Sequence, residues 1–220
     1  MMRLLRLQIL HCMQPHLEAG VKMNKIESNM EVEYKYWAGK LSKNTFHSKI
    51  ESVIGRSFEP IYVVSCDDYY TGERENSFLR YRKGGGTSEL TLKVKRKGNV
   101  VRKEINLNLD ANDDSAVVEF LDLSGYNKEF SVFKEAWVWE FEDCDVSYYT
   151  LSDGRSVIEI EATKYTTPKD GVKILNTWVK TLGLKEFGIE KEKRSLFEIF
   201  TEEKQIEEDD EYCDAMDYTR

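Results

Sequence analysis

The chain has 220 residues and a formal net charge of −8, which fit one domain with a sizeable core. Residues 202–220 hold nine acidic and two basic side chains, so the rest of the chain is nearly neutral and a basic ligand pocket is not excluded. Four cysteines without CxxC spacing indicate reduced thiols and a cytoplasmic protein, and no apolar run approaches the ~18 residues of a membrane span.

Both ends of the chain are predicted to lie outside the folded domain. Residues 1–24 are expected to be a disordered or weakly helical extension, because Arg3 and Arg6 interrupt its apolar residues. A signal peptide needs a continuous apolar stretch of about 7–15 residues. The domain is predicted at 25–201, followed by an acidic, disordered tail at 202–220. A targeting role for the extension and an interaction role for the tail are the alternatives.

Alternating apolar residues predict eight strands, and their short connections favour antiparallel pairing. The strands are expected at 30–36, 61–70, 77–83, 89–97, 100–109, 130–141, 146–151 and 155–162. Two pairs of consecutive strands are joined by residues typical of hairpin turns, Gly98-Asn99 and Asp153-Gly154. Helical spacing predicts four helices, at 39–54, 111–121, 171–182 and 192–200.

Six of the predicted strands carry their charged residues at alternating positions, which places these residues on one face of the sheet. A charged strand face usually points to solvent. Here, however, acidic pairs lie on the first and last strands and basic residues on the middle strands, whereas solubilising surfaces mix the two signs. The opposite faces carry large apolar residues such as Trp137 and Trp139, which helices must cover. A closed sheet with the charged face inside is therefore predicted.

The chemistry of such an interior favours a polyanion together with metal ions. Carboxylates that converge from neighbouring strands stay ionised only when cations lie among them, and ligands that are all oxygen select Mg²⁺ or Mn²⁺. Arginine and lysine side chains would bind phosphate oxygens, so a linear triphosphate fits this combination. His11, His16 and His47 are predicted to be non-catalytic, because none lies on a charged strand face.

Short motifs along residues 31–200, about three quarters of the chain, follow one another in a recognisable order. They are Glu31-Val32-Glu33-Tyr34-Lys35, Asp67-Asp68-Tyr69-Tyr70, Leu79-Arg80-Tyr81-Arg82, Leu90-Thr91-Leu92-Lys93, Arg102-Lys103-Glu104, Ile158-Glu159-Ile160-Glu161 and Lys193-Arg194-Ser195-Leu196-Phe197. Each motif is weak alone, but the ordered set resembles the CYTH superfamily, the triphosphate tunnel metalloenzymes.

The resemblance implies an α+β fold: an eight-stranded antiparallel β-barrel with a charged interior and helices packed on the outside. It also implies binding or cleavage of triphosphate compounds with Mg²⁺ or Mn²⁺. The expected metal ligands are Glu31, Glu33, Glu104, Glu159 and Glu161. The expected substrate-binding residues are Lys35, Arg80, Arg82, Lys93, Lys95, Arg102 and Lys134. Glu31, Glu33, Lys35 and Arg82 are expected to be catalytic.

Two positions depart from the pattern of this family. Ala136 stands where the sixth strand often has arginine, two residues after Lys134. Tyr148-Tyr149 lies near the place of an aspartate that often precedes the last strand, with Asp145 and Asp153 as substitutes. Both changes affect phosphate binding or a second metal ion, so they bear on turnover rather than on the fold.

Hydrolysis of a triphosphate, inorganic triphosphate by default, is the leading functional prediction. The alternatives are a class IV-type adenylyl cyclase that makes cyclic AMP from ATP and a triphosphate- or nucleotide-binding protein without turnover. The expected partner is a small-molecule triphosphate or nucleotide. Nucleic acid is not expected except as the 5′-triphosphate end of an RNA. No membrane partner is expected, and the protein is predicted to be a monomer or homodimer.

Overall fold

Eight antiparallel strands form a closed barrel in the computed structural model, which describes residues 26–74, 76–85, 87–94, 101–109 and 114–217. The strands are β1 (Ile26–Trp37), β2 (Ile61–Thr71), β3 (Ser77–Gly84), β4 (Thr87–Val94), β5 (Val101–Leu109), β6 (Asn127–Glu140), β7 (Cys144–Leu151) and β8 (Ser156–Ala162). They pair in the order β5-β4-β3-β2-β6-β7-β8-β1, and a further pairing of β1 with β5 closes the barrel. The predicted eight-stranded antiparallel barrel is confirmed. A two-residue strand, β9 (Lys191–Glu192), pairs with the edge of β1.

Within the described residues, four helices accompany the barrel: α1 (Lys43–Ile54), α2 (Asp114–Leu123), α3 (Pro168–Thr181) and α4 (Leu196–Asp217). A short 3₁₀ helix spans Leu184–Phe187. None of the described helices is long and apolar enough to cross a membrane. Lys95 and the Gly98-Asn99 turn lie outside the described residues, as do residues 1–25.

The largest apolar core lies outside the barrel wall, between the strands and two helices. Trp139 of β6 is fully buried there and meets Phe46 of α1 edge-on, with ring centroids 5.7 Å apart. Leu175 of α3 belongs to the same cluster as Ile158 of β8. The prediction that helices cover the outer apolar face is thus confirmed for this side of the barrel.

Close approach of α3 to the barrel depends on a glycine in its first turns. A Cβ atom at Gly171 would lie 3.2 Å from three side-chain carbons of Val32, which is closer than ordinary van der Waals contact. The helix begins after Thr167, whose hydroxyl accepts a hydrogen bond from the Asp170 amide. These residues fix α3 against β1, the strand that carries Glu31 and Glu33.

The first turn of α4 packs into one end of the barrel. Phe197 stacks on Phe78 with ring centroids 4.4 Å apart, and it also meets Tyr69. Phe78 shares the inner face of β3 with Arg80 and Arg82 because these residues alternate along the strand. The helix starts with a capping box, in which Glu198 accepts from the Ser195 amide at 2.7 Å. Aromatic side chains therefore close this end of the interior.

The final helix extends further than the sequence predicted. The sequence predicts its end at residue 200, whereas the structure continues it to Asp217. Salt bridges join the start of this extension to the domain: Arg155 contacts Glu203 at 2.6 Å, and Arg194 contacts Glu202 at 2.6 Å. These ion pairs thus hold the first residues of the extension against the domain. The predicted domain boundaries themselves remain predictions.

Candidate active site

The barrel encloses a cavity of about 240 Å³, and charged side chains from six of its strands line it. Every predicted site residue that the structure describes lies on this cavity: Glu31, Glu33, Lys35, Arg80, Arg82, Lys93, Arg102, Glu104, Lys134, Glu159 and Glu161. The reason is the strict alternation of inward and outward side chains along each strand. Lys95, the remaining predicted residue, falls outside the described part of the chain. The structure thus brings the predicted residues together, while their individual roles remain predictions.

Carboxylates and cations alternate where β1 meets β8. Glu33 pairs in register with Glu161, and Lys35 with Glu159. The Lys35 amine lies 3.0 Å from Glu159 and 3.5 Å from Glu33. Although burial acts to lower it, these two carboxylates raise the pKa of Lys35 above its usual range. Lys35 therefore stays charged and holds the two acidic strands together.

A second ion cluster joins β1, β4 and β5. The Lys93 amine lies 3.2 and 3.3 Å from the two oxygens of Glu31 and also forms an ion pair with Glu104. Burial, followed by the negative charge of Glu33, raises the pKa of Glu31 well above its usual range, even though Lys93 lowers it. The positive charge near Glu31 is thus too small to stabilise its ionised form.

The neighbouring carboxylates behave in the opposite way. Although burial acts to raise it, the charges of Lys35, Lys93 and Arg102 lower the pKa of Glu33 to about 2. Lys93 and Arg80 likewise overcome burial and lower the pKa of Glu104 to about 2. Glu33 and Glu104 are therefore ionised at neutral pH, and each is paired with a cavity lysine.

The five predicted metal ligands differ from a preformed metal site in one respect. No three Asp, Glu, His or Cys side chains among the described residues are grouped closely enough to hold a metal ion, because lysines stand between the carboxylates. The donor set still suits Mg²⁺ or Mn²⁺, since every donor is a carboxylate oxygen. The raised pKa of Glu31 also favours a bound cation, because a cation beside this carboxylate would stabilise its ionised form.

The opposite wall carries two arginines, each fixed by an acid. Asp67 accepts two hydrogen bonds from Arg82, at 2.6 Å from Nε and 2.8 Å from the terminal nitrogen. Glu89 accepts from Arg80 at 2.9 Å, and Thr91 accepts from the same guanidinium at 3.1 Å. Arg80, Arg82 and Glu89 all line the cavity. Two guanidinium groups are thus held side by side on β3.

Lys134 of β6 completes this wall. Its amine lies 2.6 Å from Asp67 and 5.2 Å from the centre of the Tyr149 ring. Burial lowers the pKa of Lys134 to about 8, although Asp67 acts to raise it. Lys134 is therefore the cavity cation whose charge is most sensitive to pH near neutrality.

The two departures from the family pattern lie next to each other in the structure. Ala136 pairs with Tyr149 across β6 and β7, and it shares the inner face of β6 with Lys134. The Tyr149 hydroxyl donates to Glu159 at 2.9 Å. Of the suggested substitutes for the aspartate, Asp145 pairs in register with Glu161, whereas Asp153 is exposed in a turn and binds Arg155. Only Asp145 is thus placed near the predicted ligands.

Sequence reasoning missed several polar residues of the site. Asp67 and Glu89 anchor the arginines, Tyr149 holds Glu159, and Asn106 and Asn108 line the cavity. The signal was present in the alternation, because Asn106 and Asn108 follow Glu104 at two-residue steps. The role of Glu89 could not be recognised from alternation, because its position opposite Arg82 depends on the hairpin turn between β3 and β4.

Comparison with known proteins gives matches among solved structures. No family model matches the chain, and no curated protein matches it. The PH1012 protein from Pyrococcus horikoshii is 23% identical with a TM-score of 0.62, covering 73% of this chain and 94% of that one. A conserved hypothetical protein from Pyrococcus furiosus is 22% identical with a TM-score of 0.63, covering 76% and 98%.

A third solved structure comes from Vibrio parahaemolyticus, and that protein carries the provisional name adenylate cyclase. It is 18% identical with a TM-score of 0.58, covering 80% of this chain and 99% of that one. At these identities the likeness concerns the fold, and fold alone does not determine activity. The chain therefore shares its fold, a closed antiparallel β-barrel, with these proteins.

Proposed function

We propose that the protein hydrolyses a triphosphate-containing compound inside its barrel, with inorganic triphosphate as the default substrate. The observation that carries this proposal is the composition of the cavity. Six cations line it within the described residues, namely Lys35, Arg80, Arg82, Lys93, Arg102 and Lys134. They surround a space that six carboxylates enter from β1, β4, β5 and β8. A linear polyanion that brings metal ions with it matches both sets of charges.

In this proposal the basic residues bind the phosphates. Arg80 and Arg82 present guanidinium groups from adjacent positions on one strand face, and Lys93 and Lys35 approach from other strands. A guanidinium can donate two parallel hydrogen bonds to phosphate oxygens, whereas an ammonium group acts as a point charge. Charge that develops on the leaving phosphate would be stabilised by Arg80 and Arg82, which Glu89 and Asp67 already hold in place.

Mg²⁺ or Mn²⁺ would be held by Glu31, Glu33, Glu104, Glu159 and Glu161. When bound, the metal supplies Lewis-acid activation of the phosphoryl group and of water. The carboxylates must first exchange their lysine contacts for the cation. A substrate that carries phosphate to Lys35 and Lys93 would draw both amines away from the acids. Binding of substrate and metal is therefore proposed to be cooperative.

Two other functions have a specific observation in their favour. A class IV-type adenylyl cyclase is suggested by the structural neighbour with the provisional name adenylate cyclase. Binding without turnover is suggested by Ala136, which leaves the inner face of β6 with Lys134 as the cation beside Tyr149. A 5′-triphosphate RNA end is a further substrate to be tested.

One experiment separates these functions. The protein is incubated with Mg²⁺ or Mn²⁺ and, separately, with inorganic triphosphate, thiamine triphosphate, ATP and triphosphorylated RNA. Phosphate release and cyclic AMP are measured in every reaction, and affinity is measured by calorimetry. Phosphate release supports the hydrolase and cyclic AMP supports the cyclase, whereas tight binding without product supports the binding protein. Absence of both binding and turnover for every compound contradicts the proposal.

A further inference from the structure

Asp67 lies behind the cations of the cavity rather than among them. Its side chain is 0% exposed, and it does not line the cavity, whereas its partners Arg82 and Lys134 do. The carboxylate accepts from Arg82 at 2.6 and 2.8 Å and lies 2.6 Å from the Lys134 amine. A buried carboxylate in this place cannot itself contact a ligand, but it contacts two residues that can.

The geometry of the Arg82 contact determines which part of the guanidinium faces the cavity. Asp67 uses the edge formed by Nε and one terminal nitrogen. Within the described residues no hydrogen bond engages the other terminal nitrogen, which can therefore meet a ligand, and the Arg82 side chain remains 33% exposed. A guanidinium is planar and its donors form a rigid fork, so fixing one edge also fixes the direction of the other. Asp67 therefore sets the orientation of Arg82.

We propose that Asp67 is a positioning residue, which holds Arg82 and Lys134 in the geometry that binds the phosphates of the substrate. This inference rests on the proposed triphosphate function and adds a residue that acts through two binding residues. The groups that face the Lys134 amine are Asp67 from β2, Arg80 and Arg82 from β3, Tyr149 from β7 and Glu159 from β8. Among them, Asp67 is the carboxylate in direct contact with the amine.

The chain offers a matched control at the next position. Asp68 is also buried, with 2% exposure, and it also contacts cations, Lys128 at 2.8 Å and Lys83 at 3.1 Å. It points to the other face of β2, because successive residues of a strand alternate. Asp68→Asn therefore repeats the chemistry of Asp67→Asn on the outside of the barrel. If burial of an ion pair were all that mattered, both variants would behave alike.

The test compares triphosphate affinity by calorimetry for the full chain, Asp67→Asn and Asp68→Asn, with inorganic triphosphate as the probe. Asp67→Asn is expected to bind about 10- to 100-fold more weakly, the usual effect of removing a partner that orients a binding group. Asp68→Asn is expected to bind like the unchanged protein. In an Arg82→Ala background the effect of Asp67→Asn should shrink, since the residue it orients is already absent.

The opposite results overturn the inference. Removal of a negative charge near a phosphate site could instead strengthen anion binding, so equal or tighter binding by Asp67→Asn shows that Asp67 does not position its neighbours. Equal losses in both Asn variants show a structural role only. Additive effects of Asp67→Asn and Arg82→Ala show that the two residues act independently.

A measurement without triphosphate separates this inference from the proposed function. The Arg82 Nε–H group, when bonded to Asp67, should give a resolved and slowly exchanging signal in ¹⁵N NMR spectra. Loss of that signal in Asp67→Asn, with its retention in Asp68→Asn, supports positioning even if the protein binds no triphosphate. Retention of the signal in Asp67→Asn overturns the inference whatever the ligand proves to be.

Discussion

Ala136 and Tyr149 face each other across β6 and β7 on the inner side of the barrel, and the Tyr149 hydroxyl donates to Glu159 at 2.9 Å. Ala136 stands where the sixth strand of the family that the chain resembles often has arginine, and Tyr149 lies near the place of an aspartate, so a methyl group here faces a phenol. This part of the wall therefore lacks one cation and binds one of the predicted metal ligands through a neutral hydroxyl. The pair is the clearest difference between this interior and the pattern of the family that the chain resembles.

Replacement of Ala136 by arginine should raise the rate of triphosphate hydrolysis. Ground-state binding should already be tight, since several cations remain, but one charged donor to the transition state is worth ~3–4 kcal/mol. The new guanidinium would extend from the same strand face as Lys134. Steady-state kinetics of the two proteins measure the effect. An arginine variant that is no faster than the unchanged protein would show that another residue already supplies this charge.

Neutralising single carboxylates should affect stability in opposite directions at two positions. Glu31→Gln should stabilise the metal-free protein, because burial and Glu33 already raise the pKa of Glu31 and so disfavour its charge in the fold. Glu159→Gln should destabilise it by about 1–3 kcal/mol, since Lys35 and Tyr149 lose a charged acceptor. Denaturant unfolding without metal at neutral pH gives both free energies.

Neutralising either acidic residue of β8 should abolish metal-dependent turnover. Glu159→Gln and Glu161→Gln each remove a predicted oxygen ligand while the barrel remains folded. Circular dichroism provides the control for folding, and phosphate release with Mg²⁺ or Mn²⁺ provides the readout. Full turnover in both variants would mean that these carboxylates do not bind the metal.

Arg82→Ala should weaken triphosphate binding strongly. The side chain is a charged donor that lines the cavity, and the loss of such a partner typically costs about 2–5 kcal/mol. Arg155→Ala is a suitable comparison, because Arg155 binds Asp153 and Glu203 outside the cavity. Calorimetric titration with inorganic triphosphate measures both. Unchanged affinity of Arg82→Ala would exclude this residue from the phosphate site.

Triphosphate affinity should fall as the pH rises through about 8, because burial lowers the pKa of Lys134 to about 8 and the neutral amine does not attract phosphate. Between that pH and the usual lysine pKa the unfolded chain binds more protons at this group, so its contribution to stability rises with pH. A loss of affinity between a pH of about 8 and the usual lysine pKa is therefore not caused by destabilisation of the fold through Lys134.

A pair of lysine variants checks the assignment. Lys134→Met should remove the fall in triphosphate affinity near a pH of about 8. Triphosphate itself titrates equally in experiments with the variant and with the unchanged protein, so the difference between them reports the protein alone. Lys93→Met should weaken binding but keep this fall, since Glu104 and Glu31 hold the pKa of Lys93 above its usual range. Persistence of the fall in Lys134→Met would assign it to another group.

The sequence alone determined the barrel and most of the site. Alternation at Arg80 and Arg82, or at Glu159 and Glu161, places two charges on one strand face whatever surrounds them. Apolar residues such as Trp139 on the opposite face require cover, so the charged face must point inward. Local periodicity thus predicted both the closed sheet and the residues that line it.

Tertiary structure alone decided how these charges are paired. Whether Glu31 meets a metal ion or Lys93 depends on distances between β1 and β4, which are far apart in sequence and separated in the sheet by β5. Asp67 and Glu89 acquire their roles only through the registers of β2, β3 and β4. Closure of one end of the barrel by Phe197 likewise depends on where α4 packs. Electrostatic energies follow distance and burial, and a one-dimensional pattern contains neither.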